Sequence, residues 1–256
     1  MRSRQAHLIV LCLALVVLFG SSAWAEDATE EGWNFDLAPL YLWALSLDGD
    51  MAVKGEYTPL DIGFDDILDQ VDFAGTVHFE GRNADWGFLL DATYVTLKSE
   101  TDLPPIGEFP GGDFLTDTDI TVLEGIGYRR IGTRENRVDL LFGVRYMEID
   151  TDLTPPSSIP MVSGKADWTD VLVGARLSTD LSEKWSLLLR GDVAAGGSDL
   201  TVNASALFVR QFKGRMGLVV GYRVMDVDYE DGSGADLFVF DAKMAGPILG
   251  FNIHWD

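Results

Sequence analysis

Along its length the chain alternates apolar and polar side chains with a period of two in ten segments: 33–47, 71–82, 85–98, 119–130, 137–149, 166–178, 185–195, 199–210, 216–229 and 236–255. A period of two belongs to strands, whose successive side chains point to opposite faces. The pattern is fullest in the last forty residues. Leu218, Val220, Tyr222 and Val224 share one face, and Val219, Gly221, Arg223 and Met225 the other. After a polar turn, Phe238, Phe240, Ala242 and Met244 share a face opposite Val239, Asp241 and Lys243. Large apolar side chains outside and Gly, Arg, Asp and Lys inside predict strands with hydrocarbon on one face and a polar lumen on the other. The same reading puts Trp33, Phe35, Leu37, Tyr41, Trp43, Leu45 and Leu47 outside on the first segment. It does so for Trp86, Phe88, Leu90 and Tyr94 on the third and for Val138, Leu140, Phe142, Val144 and Tyr146 on the fifth.

The links alternate as the strands do. Those after segments two, four, six and eight are short: 83–84, 131–136, 179–184 and 211–215. Those after one, three and five (48–70, 99–118, 150–165) are long and rich in Pro, Gly and Asp. Membrane barrels have short periplasmic turns and longer outer loops. The predicted fold is therefore all-β, an antiparallel transmembrane β-barrel of ten strands, with eight or twelve as the alternatives. An even count puts both termini on the periplasmic side. Asp48-Gly49 signals a tight hairpin, with 50–57 returning above the membrane and 61–70 forming a short acidic helix or lid. Proline removes a ladder donor, so Pro39 and Pro247 predict a seam between the first and last strands. The outward residues of the last segment change from even to odd numbers, which predicts a bulge at Gly246-Pro247.

The N-terminus adds a compartment. Arg2 and Arg4 precede thirteen apolar residues, 8–20, and Ala23-Trp24-Ala25 follows. Thirteen is short of the roughly twenty that cross a bilayer as a helix. The stretch reads as a cleaved signal peptide, 1–25, leaving a barrel domain, 26–256. Cys12, the chain's single cysteine, falls within that signal, so the exported protein has no disulfide and needs another source of stability. A closed hydrogen-bonded barrel supplies one. Nineteen Lys and Arg stand against forty-one Asp and Glu, a net charge of −22. That balance excludes a nucleic-acid binder, which needs cations for phosphate.

The candidate chemistry lies on the inward face. A lumen charge network is predicted from Glu80, Arg82, Asp91, Glu124, Arg145, Asp170, Arg176, Arg190, Asp192, Arg223, Asp241 and Lys243, with Asp36 and Asp139 as additions. Buried charges must be paired or solvated. Paired, they pack and close a narrow lumen; solvated, they line a narrow pore or an ion path, or capture a ligand at the mouth. The histidines are His7, His78 and His254, and none forms an Asp–His or Ser–His pair near the outer end. No catalytic residue, cofactor or dedicated metal site is expected. Acids crowd the outer loops: Asp48, Asp50, Asp61, Asp65, Asp66 and Asp69, then Asp113, Asp117 and Asp119, then Asp226, Asp228, Glu230 and Asp231. They match no full calcium loop but suit divalent cations bridging to lipopolysaccharide.

Several phrases carry a resemblance: Asp167-Trp168-Thr169-Asp170 with Gly174 and Arg176, Lys184-Trp185 with Arg190-Gly191-Asp192, Gly221-Tyr222-Arg223 with Asp226, Asp228 and Tyr229, and Asp241 with Gly246-Pro247 and Gly250. With these the chain resembles a largely uncharacterised family of small proteobacterial outer-membrane β-barrel proteins. The resemblance implies export, outer-membrane residence, and contact with outer-membrane lipid, lipopolysaccharide and the barrel assembly machinery. Barrels of this membrane usually end on an aromatic residue, whereas here Trp255 is followed by Asp256. The expected role is structural or surface-binding, or that of a narrow pore. The alternatives are a barrel enzyme acting at the outer surface, as a protease or on lipid, and a soluble periplasmic β-protein.

Overall fold

The computed structural model describes residues 32–63, 71–103, 112–133, 136–154 and 162–255. The predicted signal peptide and most of the predicted helix or lid at 61–70 lie outside the described residues. Twelve strands form one antiparallel sheet: β1 (Asn34–Trp43), β2 (Ser46–Val53), β3 (Glu56–Ile62), β4 (Val71–Arg82), β5 (Trp86–Leu103), β6 (Gly112–Gly132), β7 (Asn136–Thr154), β8 (Val162–Ser182), β9 (Trp185–Gly196), β10 (Leu200–Gln211), β11 (Met216–Asp231) and β12 (Phe238–Trp255). β1 pairs with both β4 and β12, which closes a barrel of ten strands. β2 and β3 are two further strands that continue the sheet beyond the upper part of β12.

Short turns gather at one end of the barrel. Asn83 braces one of them, its side-chain oxygen accepting the backbone N–H groups of Asp85 at 3.0 Å and Trp86 at 2.8 Å. Above this end the exterior is an apolar belt. Exposed Leu90, Phe142, Val144, Val171, Leu249 and Phe251 lie within it. Trp33 and Trp86 stand exposed at its lower edge, and Tyr94 and Tyr222 at its upper edge. From Trp86 to Tyr94 is eight residue steps, and a tilted strand of that length rises about 20 Å. That matches the hydrocarbon band of a membrane barrel, with aromatic girdles at both interfaces. These are transmembrane strands.

Beyond the upper tyrosines the sense of polarity inverts with no change of register. On β11, Asp226, Asp228 and Glu230 are now exposed while Met225, Val227 and Tyr229 are buried inside. On β7 and β8, Met147, Ile149, Ala166 and Trp168 are buried inside, and Asp167 and Lys165 are exposed. Four strands from each side extend here into two opposed sheets, β5–β8 against β11, β12, β2 and β3. Trp168 stacks on Tyr229 across the gap at 4.0 Å and 13°. Thr151 of β7 meets the sulfur of Met51 on β2 at 4.0 Å. A Cβ on Gly164 of β8 would lie 2.4 Å from a methyl of Val53 on β2, so the sheets touch directly. Apolar side chains fill the space between, none more than 8% exposed.

This apolar end corrects several expectations. Tyr41, Trp43, Leu45 and Leu47 do not face lipid; Trp43, Leu45 and Leu47 belong to the inner apolar core. The reason is a register shift between Leu37 and Tyr41 on both edges of β1, around Pro39. It moves the later residues to the other face, as a bulge does. No bulge occurs at Gly246-Pro247, where β12 pairs with β11 without a break. Phe240, Ala242 and Met244 point inward instead, and Asp241 and Lys243 are exposed on the outside. Much of the predicted loops 99–118 and 150–165 is strand, which extends β5–β8 above the membrane band. The hairpin also turns later than Asp48-Gly49. It turns at Lys54 and Gly55, with φ of 54° and 81°, the left-handed pair a two-residue hairpin requires. Gly49 is needed for another reason: its φ is +152° and a Cβ there would sit 2.1 Å from the Asp241 carbonyl oxygen.

Candidate functional site: the charged lumen

The inward period of the lower strands stacks charges in two layers below the apolar end. In the upper layer Glu124 is the hub. Arg145 reaches it at 2.7 Å through Nε and reaches Asp192 at 2.6 Å through Nη2. Arg190 donates to Asp192 at 2.7 Å and to Glu124 at 3.1 Å. Arg223 donates to Glu124 at 3.1 Å and to the Asn203 side-chain oxygen at 2.8 Å, and its guanidinium lies 4.8 Å over the Trp43 ring. Asp91 completes the layer, bonded to His78 at 2.7 Å and 4.0 Å from Arg190.

In the lower layer Arg176 bridges two acids. It donates to Glu80 at 2.6 and 3.0 Å and to Asp139 at 2.8 and 3.0 Å. Arg130 holds the other side of Asp139 at 2.9 Å. The Tyr128 hydroxyl donates to Glu80, with the Arg176 guanidinium 4.8 Å over its ring. Arg82 pairs with Asp36. Each layer thus sets three arginines against three carboxylates. The ordered pairing offsets the desolvation that would otherwise expel them from a narrow lumen.

Of the residues predicted for this network, Glu80, Arg82, Asp91, Glu124, Arg145, Arg176, Arg190, Asp192 and Arg223 come together. Asp170 does not join. It is fully buried but accepts the backbone N–H and hydroxyl of Ser198 at 2.8 and 2.7 Å, so it anchors the β9–β10 turn to the wall. Asp241 and Lys243 are also outside it, on the water-facing exterior. The additions Asp36 and Asp139 both take part. The sequence reading missed Arg130, Tyr128 and Asn203, although Tyr128 and Arg130 share the parity of Glu124 and signal the same face. Among the described residues no cluster of acids or histidines has the arrangement of a metal site. Asp65, Asp66 and Asp69 lie outside them.

Beside the charge layers, open towards the short-turn end, lies a cavity of about 220 Å³ that members of both layers line. Arg82, Arg130, Arg137 and Arg176 form one part of its lining, and Leu188, Leu207, Val209 and Val219 another. Above the cavity the apolar core fills the lumen.

No protein-family model matches the chain, and no curated protein matches it. Among solved structures, the outer-membrane protease OmpT from Escherichia coli aligns with 91% of this chain and 100% of its own, at 8% identity and a TM-score of 0.49. The translocator domain of the autotransporter NalP from Neisseria meningitidis aligns with 98% of this chain and 97% of its own, at 12% identity and a TM-score of 0.43. The attachment invasion locus protein Ail of Yersinia pestis aligns with 88% of this chain and 99% of its own, at 11% identity and a TM-score of 0.37. Each of these alignments spans most of both chains.

Proposed function

We propose that the protein is an outer-membrane barrel whose lumen is shut, acting as a structural or surface-binding element and not as a through-pore. The observation that supports this is the layering of the interior. Two sets of three arginines and three carboxylates fill the middle, and two opposed sheets bury an apolar core above them. An ion crossing from end to end would have to break buried pairs and then pass a dry, aromatic plug, both costly. The belt of exposed apolar side chains argues against a soluble periplasmic protein. The short-turn end, with both termini, faces the periplasm in this reading. The acidic exterior beyond the upper tyrosines then meets lipopolysaccharide, with divalent cations bridging carboxylates to phosphates. Assembly falls to the barrel assembly machinery, as the resemblance to small proteobacterial barrels implies. The reading includes no catalysis: His78 and His254 both belong to the short-turn half, far from a surface substrate.

Planar-bilayer recording tests it. The purified barrel is expected to give no steady conductance across physiological voltages. Large, steady single-channel steps would overturn the closed-lumen reading. Gel migration without prior boiling tests the barrel itself: the folded form is expected to shift on heating and to require detergent.

A further inference from the structure

The cavity at the short-turn end holds a cation that the two charge layers leave over. Every other lumen arginine has a carboxylate within 3.1 Å, except Arg137. Its carboxylate contact is Asp180, at 3.7 Å, and Asp180 is already bonded by the Ser186 hydroxyl at 2.9 Å. Arg137 Nε and Arg190 Nη2 are both buried without an acceptor among the described residues, and both guanidinium groups line this cavity. Arg130 and Arg82 stand close enough to act on Arg137 electrostatically, opposed by Asp180 and Asp139. The acids at the mouth are engaged: Asp36 receives Arg82 and the Asn252 amide. The wall formed by β9, β10 and β11 adds the apolar Leu188, Leu207, Val209 and Val219 beside Arg190 and Arg223. A guanidinium with free donors facing an apolar wall suits a ligand that carries both characters.

We infer that this cup binds a small amphipathic oxyanion, a carboxylate or phosphate monoester with a short hydrocarbon tail. Its head takes the free donors of Arg137 at the mouth, and its tail lies on the Leu207–Val209–Val219 wall. The size follows from the volume: 220 Å³ holds about seven water-sized groups. A six-carbon chain with its head at the mouth fits. The ligand enters from the side of the short turns, since the opposite end is sealed. The inference goes beyond the closed-barrel reading and does not depend on it, because binding is measured without any conductance.

The test is titration calorimetry on the full mature barrel in phosphatidylcholine nanodiscs, with empty nanodiscs subtracted. The probes are hexanoate, hexyl phosphate, hexanol and inorganic phosphate. Hexanoate or hexyl phosphate is expected to bind saturably, and whichever binds more tightly names the head group. Hexanol and inorganic phosphate are expected to bind at least about tenfold more weakly, each lacking one half of the match. Arg137→Gln, at a half-exposed position with a single long ion pair, is expected to fold and to lose about tenfold in affinity. Val209→Asp puts an acid on the apolar wall and is expected to abolish binding, its folding checked by heat-dependent gel migration. No saturable heat with either amphiphile would overturn the inference. So would equal binding by hexanol or inorganic phosphate, or by Arg137→Gln.

Discussion

Arg176→Met separates a lumen held together by specific pairs from one that is merely polar. The side chain is 6% exposed and donates four hydrogen bonds, two to Glu80 and two to Asp139. Methionine keeps much of the volume but supplies no donor. Asp139 would retain Arg130 at 2.9 Å. Glu80 would keep the Tyr128 hydroxyl, with Arg82 at 3.9 Å and His78 at 3.6 Å as its remaining cationic neighbours. Breaking a buried pair while leaving the partner charged costs about 3–5 kcal/mol, and the lost guanidinium–ring contact adds about 1 kcal/mol at most. A loss of about 4 kcal/mol is therefore expected. Glu80→Gln in the same chain removes the stranded charge. The double variant should be more stable than the sum of the two singles by about 2 kcal/mol, as in a coupled pair. The assay is reversible urea unfolding in phosphatidylcholine vesicles, followed by tryptophan fluorescence and by heat-dependent gel migration. An Arg176→Met midpoint within about 1 kcal/mol of wild type, or strict additivity with Glu80→Gln, would refute the pairing argument.

Three further outcomes are expected. Arg223→Ala should cost about 3 kcal/mol, less than Arg176→Met: its hydrogen bonds to Glu124 and Asn203 are lost, but Glu124 keeps Arg145 and Arg190; the same urea assay checks the ranking. Asp228→Asn should stabilise the barrel at neutral pH. Partial burial and neighbouring Asp241, Asp199, Glu230 and Asp226 hold the Asp228 carboxyl above its ordinary range. The folded state therefore binds the proton more tightly than the unfolded one, and stability falls as pH rises through that raised value. The advantage of Asn should fade as pH falls through about 4, the ordinary Asp value at which the unfolded state also takes up the proton, and unfolding midpoints at neutral and acid pH would show it. Phe240→Asp places a charge in the apolar core, where Phe240 is 1% exposed. It should destabilise the outer end and, in bilayers, raise conductance above the wild-type baseline; an unchanged trace would mean that the charge layers alone seal the lumen.

Much of this was legible in the chain. The period-two segments and the alternation of short and long links predict a closed barrel of ten strands, and the parity of Glu80, Glu124, Arg145, Arg176 and Arg190 predicts that they share a lumen. The failures lie at the upper end. Asp241 and Lys243 look like lumen residues because their neighbours Phe240, Ala242 and Met244 look lipid-facing. Trp43 and Leu45 look like a continuation of the lower outward stripe, and Asp170 looks like one more lumen acid. Alternation establishes that a strand has two faces, but it does not say which face is inside.

The sequence alone determined the ten barrel strands, their order and the supply of paired charge, since these depend on local periodicity and composition. The tertiary structure decided where hydrocarbon gives way to water along each strand, and so which face is buried at each height. Below the upper tyrosines the outside is lipid, and polar groups retreat to the lumen. Above them the outside is water, and the same strands turn their apolar side inward against a second sheet. That boundary is a property of the assembled barrel in its bilayer, and it decides which side chains form the apolar core.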